Sequence, residues 1–269
     1  MKIYRTEEEA LQYYDSGKYI TPDGYTSDIA VFTLLPNEEP FHNGKSRSAY
    51  SLALMLIKRA GIDSDGQPNI EGNKWALPGG FIQRDETAYE AAQRELKEET
   101  GVEGIEVKHF GVYDKYGRDK RGWILSNAHY AIVPETYLEK RMASDDAAEV
   151  RLFTLDEVFQ LELAFDHHVI IKDAVRAVER DVLQTTVVKY FLPKEFKMEE
   201  LRQVLLAFVD DPVVKNKPGF FRKAPTLPFI TEALDHNNEP KKTEPNADTR
   251  RPSKLYCFKD VDVTPSIWR

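Results

Sequence analysis

One cysteine, Cys257, stands in a chain of 269 residues, which excludes a disulfide framework and a thiolate metal site. No run approaches the roughly 18 to 20 apolar residues needed to cross a membrane. The first residues, Met1 to Gly17, are acidic and polar and lack the apolar core of a signal peptide. No internal repeat is visible. These absences predict a cytoplasmic globular protein, long enough for two domains of ordinary size.

The charge is uneven. The net −8 is carried by residues 1–183, with 22 Lys+Arg against 33 Asp+Glu, while 184–269 holds 15 against 12. A mildly basic tail thus follows an acidic body, a small excess by itself for nucleic-acid binding.

The stretch from Gly80 to Val102 carries the chemistry. It reads as Gly80, five residues, Glu86, seven residues, then Arg94-Glu95-Leu96-Lys97-Glu98-Glu99-Thr100-Gly101-Val102. Leu77-Pro78-Gly79-Gly80 is a turn signal. Asp85 or Thr87 can cap a helix that Gly101 is placed to end. On that helix Glu95, Glu98 and Glu99 are spaced i, i+3, i+4 and share one face. Three carboxylates on one face repel each other, and a hard divalent cation such as Mg²⁺ relieves that repulsion and bridges them to phosphates. Arg94 can hold Glu86, or a ligand carboxylate, through a bidentate fork.

That spacing resembles the Nudix box, with all seven fixed residues present. At residue frequencies of roughly 7% each, the coincidence arises about once in 10⁸ windows. The resemblance implies an α/β/α sandwich and a divalent-metal pyrophosphatase. Glu95, Glu98 and Glu99 would be metal ligands, with orientation of the attacking water as the alternative role of Glu98 or Glu99, and Mn²⁺ is an alternative to Mg²⁺. Glu86 would support the box or complete the metal shell. Many such enzymes take a general base from a loop after the box, so Asp145, Asp146 and Glu149 are its candidates here. Gly79, Gly80, Arg94, Arg118 and Arg121 are substrate-binding candidates. Trp75 and Phe81 are candidates to stack on an adenine, with core packing as the plainer role, and His167 and His168 are open to a metal or base role, with a structural one as the plainer.

Strand-like and helical segments alternate over the first two-thirds. Ile29–Leu35, Tyr50–Ile57, Val107–Tyr113 and Ala128–Val133 read as strands, and Asp166–Val182 as an amphipathic helix. From about Gln184 the pattern changes, which divides the chain into a Nudix domain over 1–183, with an N-terminal extension to about residue 25, and a small domain over 184–269. In the latter Thr185–Phe191 is strand-like, Lys197–Phe208 is helical, and Phe220–Leu234 is a helix candidate interrupted by Pro225 and Pro228. Asp235–Pro252 reads as a loop and Leu255–Phe258 as a strand. Two helices and a long-tipped ribbon outline a winged helix.

Further segments resemble the Nudix-related transcriptional regulators: Leu163-Ala-Phe-Asp-His167, Gly117-Arg-Asp-Lys-Arg-Gly122, Phe221-Arg-Lys223 and Arg251-Pro-Ser-Lys-Leu-Tyr256. This resemblance, covering about residues 25 to 260, implies a homodimer, ADP-ribose as ligand or substrate, and DNA contact through Arg222, Lys223, Arg250 and Arg251. It leaves three functions open: hydrolysis of ADP-ribose to AMP and ribose 5-phosphate, ligand-sensing regulation at DNA, or an enzyme whose tail serves dimerisation or protein contact only.

Overall fold

The computed structural model describes residues 5–37, 41–42, 45–46, 48–63, 65–139, 147–243 and 252–259. After a short helix α1 (Glu7–Gln12), strand β1 (Gly24–Pro36) runs through the centre, followed by the two-residue strands β2 (Phe41–His42) and β3 (Lys45–Ser46). Next come β4 (Tyr50–Arg59), β5 (Trp75–Ala76), β6 (Gly79–Phe81), helix α2 (Ala88–Thr100), β7 (Lys108–Tyr113), β8 (Ile124–Ile132) and β9 (Ala147–Thr154). Two helices, α3 (Leu155–Val158) and α4 (His167–Gln184), lead into the tail.

The main sheet has the order β5-β4-β1-β8-β7, with β6 also on β1 and β9 on β4. Strands β1 and β8 are parallel; the other pairs are antiparallel. Alternate residues of a strand face opposite sides, and β1 buries both. Ile29 and Val31 meet Ala92 and Leu96 of α2, whereas Ala30 and Phe32 join Ile170, Ile171, Ala174 and Val178 of α4. The sheet is therefore sandwiched between α2 and α4, which is the expected α/β/α arrangement.

The α4-side apolar cluster continues into the tail through Val188, Phe196, Leu201, Leu205 and Phe208. Here the structure corrects the sequence reading in four places. Thr185–Phe191 is not a strand: Val187–Phe191 forms a 3-10 helix that buries Val188. The broken helix candidate resolves into α7 (Lys217–Lys223), which stops before Pro225, then a 3-10 turn and strand β10 (Ile230–Glu232). It follows α5 (Met198–Phe208) and a single turn, α6 (Pro212–Lys215). The presumed loop from Asp235 is partly ladder: bridges Leu234–Pro240 and Lys242–Lys254 extend the ribbon that β10 makes with β11 (Tyr256–Phe258). Finally, Glu149 belongs to β9, opposite Lys58, rather than to a loop.

Candidate functional site

Helix α2 is built as its sequence dictates. Thr87 caps it through a reciprocal pair: its hydroxyl accepts from the Glu90 N–H, and the Glu90 carboxylate accepts from the Thr87 N–H. Gly101 ends it at φ 69°, a left-handed conformation that glycine adopts at least cost. Buried Ala91, Ala92 and Leu96 dock the helix on the sheet, Glu99 is buried with them, and Glu98 stays largely exposed.

The turn before α2 is shaped around those carboxylates. A side chain at Gly80 would start 2.4 Å from Glu95 Oε1, and one at Gly79 would start 2.3 Å from the Ser27 carbonyl oxygen. Both positions need the space that only glycine leaves. The Gly79 N–H donates to Glu99 Oε2 at 2.7 Å. Glu99 is buried, and burial pushes its carboxyl up to about 8. Glu95 is shifted upward by the same cause.

Arg94 is the hub. Its Nε and Nη2 fork onto Glu86 at 3.0 and 2.6 Å, its Nη1 donates to Glu95 and Glu98 at 2.7 and 2.8 Å, and Nη2 also reaches the Phe81 carbonyl at 3.1 Å. A guanidinium has five N–H donors, so Arg94 has none over for a substrate. It acts here as a strut. The fork holds the Glu86 carboxyl down near 2. Among the described residues no three acidic, His or Cys side chains converge tightly enough to hold an ion. The donor set is nonetheless hard oxygen, the kind Mg²⁺ takes. Glu98, with 56% of its side chain exposed, has the freedom to turn from Arg94 toward an ion.

Beside the turn lies a small polar cleft lined by Asp28, Arg59, Gly79, Gly80, Phe81 and Arg121, among others. The Leu163–His167 segment fixes its floor. Phe165 is held at φ 50°, unusual for a residue with a side chain. Asp166 takes both arms of Arg118, at 2.9 and 2.6 Å. His167 Nδ1 accepts the Leu77 N–H at 2.9 Å, so a neutral ring carries its proton on Nε2, which faces Asp28 at 3.9 Å. Burial lowers the His167 pKa, favouring that neutral form.

The sequence-derived candidates thus separate. Glu86, Arg94, Glu95, Glu98, Glu99, Gly79 and Gly80 are brought together. Arg118 lines the cleft, but its side chain is only 4% exposed and is engaged by Asp166. Arg121 is partly open, forked onto Asp119 and stacked 4.9 Å from the Phe81 ring. Trp75 packs edge-on against Phe153 in the core, and His168 is exposed. Glu149 is half-exposed on β9, with Arg151 at 3.6 Å. Asp145, Asp146, Arg250 and Arg251 lie outside the described residues. Arg222 and Lys223 are exposed in the last turn of α7. Arg59 escaped the sequence reading: no motif surrounds it, and it reaches the cleft only because β4 ends there.

Comparison with known proteins agrees with this geometry. The family model for the NUDIX domain matches residues 41–174. A mutT/nudix family protein from Listeria innocua, solved by crystallography, is 50% identical over 61% of this chain and 99% of its own, with a TM-score of 0.51. The crystal structure of Shewanella oneidensis NrtR complexed with a 27mer DNA matches 87% of this chain and 93% of its own at 25% identity, with a TM-score of 0.62. The ADP-ribose pyrophosphatase of Methanocaldococcus jannaschii is 41% identical over 123 residues, which are 46% of this chain and 66% of that one. With its box assembled on α2 and the Listeria protein matched at 50% identity over 99% of its length, the chain belongs to the Nudix family.

Proposed function

We propose that this protein hydrolyses the diphosphate bond of a nucleoside diphosphate linked to a second moiety, with ADP-ribose giving AMP and ribose 5-phosphate as the leading substrate. The observation that carries this reading is the pairing of opposite charges across one turn. Glu95 and Glu99 approach Gly79–Gly80 from α2, and guanidinium groups line the adjoining cleft. A diphosphate is complementary to both sides when a divalent cation sits on the acidic one. The similarity to an ADP-ribose pyrophosphatase supports the choice of substrate.

Glu95, Glu98 and Glu99 would hold Mg²⁺ or Mn²⁺, which offsets phosphate charge and makes a bound water acidic. Arg94, braced by Glu86, positions Glu95 and Glu98 directly. Glu149 or Asp146 would accept the water's proton, and Arg121 would steady the phosphate. The test is a panel of ADP-ribose, nucleotide sugars, dinucleotides and nucleoside triphosphates with each metal. Glu98→Gln removes one charge at an exposed site and is expected to lower kcat by orders of magnitude with melting unchanged. A wild type inert toward the whole panel would sink the reading.

A second reading, ligand-responsive regulation at DNA, is favoured by one observation: the likeness to the DNA-bound NrtR runs through the tail as well as the Nudix portion. In this reading residues 184–269 form a winged-helix unit, and Arg222, Lys223, Arg250 and Arg251 face the phosphate backbone.

A further inference from the structure

Arg59 closes β4 at the rim of the cleft. Its Nε donates to the Ile70 carbonyl and its Nη2 to Asn69, both at 3.1 Å, which anchors the guanidinium from behind. The guanidinium carbon lies 5.3 Å from the centre of the Phe165 ring. Arg121 reaches the same ring at 5.0 Å from the loop between β7 and β8, anchored in turn by Asp119. Among the described residues neither arginine has a hydrogen-bond partner for its Nη1 group. Two anchored guanidiniums thus share one aromatic ring, each with unused donors, in a cleft bordered by Gly79 and Gly80.

Like charges held together need a reason. Burial, and then the charge of Arg121, pull the Arg59 pKa downward, so the pair is a strained arrangement for the ligand-free protein. The nearby anions Glu99, Asp119 and Asp28 oppose that shift, and each has a partner of its own: Glu99 accepts from the Gly79 N–H, Asp119 from Arg121, and Asp28 from the Ser126 hydroxyl. Phe165, which brings the two arginines together, is itself in a left-handed conformation, and such strain concentrates at ligand sites.

We propose that Arg59 and Arg121, converging on Phe165, form the binding site for one phosphate group of the ligand, beside the Gly79–Gly80 turn that the α2 carboxylates also approach. The guanidinium fork matches phosphate oxygens, and an anion between two cations removes their repulsion. This deepens the diphosphate reading and rests on it, and it makes Arg59 a ligand-binding residue.

Isothermal titration of the full-length protein with inorganic diphosphate and with ADP-ribose, without added metal, reads the site directly. Arg59→Met and Arg121→Met should each weaken both ligands by about tenfold or more, since a hydrogen bond to a charged group is lost. Arg59→Lys should lose less, because the charge remains while the fork is gone. Arg121→Met touches no bond of the 60–72 segment, so it carries the test even if Arg59→Met disturbs that segment. Ligand-free melting that drops in both variants while diphosphate binds as in the wild type would mean a structural role and overturn the proposal. A wild type that binds diphosphate but not ADP-ribose would leave this site standing and refute the substrate assignment. Unchanged ADP-ribose affinity in both methionine variants would refute this site and leave the assignment. A wild type that binds neither ligand overturns both.

Discussion

His129 shows how single side chains set the behaviour of this fold. It is 2% exposed, with Nδ1 3.2 Å from the Ser27 hydroxyl and the His109 ring 5.5 Å away. Burial, and next the neighbouring His109, push its pKa down to about 4. In the unfolded chain the ring takes a proton near 6.5, so between that value and about 4 the unfolded state binds more protons. The contribution is complete above pH ~6.5 and is lost as pH falls through the window. Melting temperature is therefore expected to decline between pH 6.5 and 4 more steeply in the wild type than in His129→Gln, and equal slopes would refute the assignment. The effect is separable from that of Glu86, whose carboxyl lies near 2 and whose loss comes at lower pH. At this scale the sequence was partly legible. The bond between Glu86 and Arg94 was readable because both residues lie within one local pattern. Arg59 was not, because its partners Phe165 and Arg121 arrive from distant parts of the chain.

Among the elements, α2 was the most legible, since its cap, its ligand face and its stop are all local. Replacing Thr87 with Ala removes the capping bond and should destabilise the protein by about 1 kcal/mol; denaturant unfolding measures it, and a change within error would mean that packing against the sheet alone holds the first turn. Strands were read well where apolar residues ran continuously, as in β1 and β4, whose centres are buried on both faces. They were misread where assignment depends on a partner. Val187–Phe191 has a strand's composition but forms a 3-10 helix, paired with no strand among the described residues. Residues 147–154 are charged and mixed in composition, yet they pair along most of β4. Pairing is a property of two segments, and composition reports one.

For the whole molecule, two expectations concern assembly. Most soluble oligomers are two-fold dimers, and a dimer is also what a palindromic DNA site would require; light scattering at micromolar concentration should give twice the chain mass, and a monomer would count against both. If the tail grips DNA, Arg222→Ala with Lys223→Ala should weaken binding and flatten its dependence on salt, because fewer counterions are released. An unshifted DNA fragment from the protein's own operon region at low salt, with and without ADP-ribose, would remove the regulatory reading and leave the hydrolase. The net charge of −8 sets the terms: any DNA contact must be local to the tail and strongly weakened by salt.

The left-handed backbone at Phe165 has a consequence of its own. Glycine is the residue that conformation favours, and a bulky side chain there costs about 1 to 3 kcal/mol. The ring is nonetheless what two cations and the His167 imidazole, 5.6 Å away, rest upon. Folding and recognition thus make opposing demands on one position. A search for sturdier variants would be drawn to residue 165, and a search for tighter ligand binding would keep it as it is.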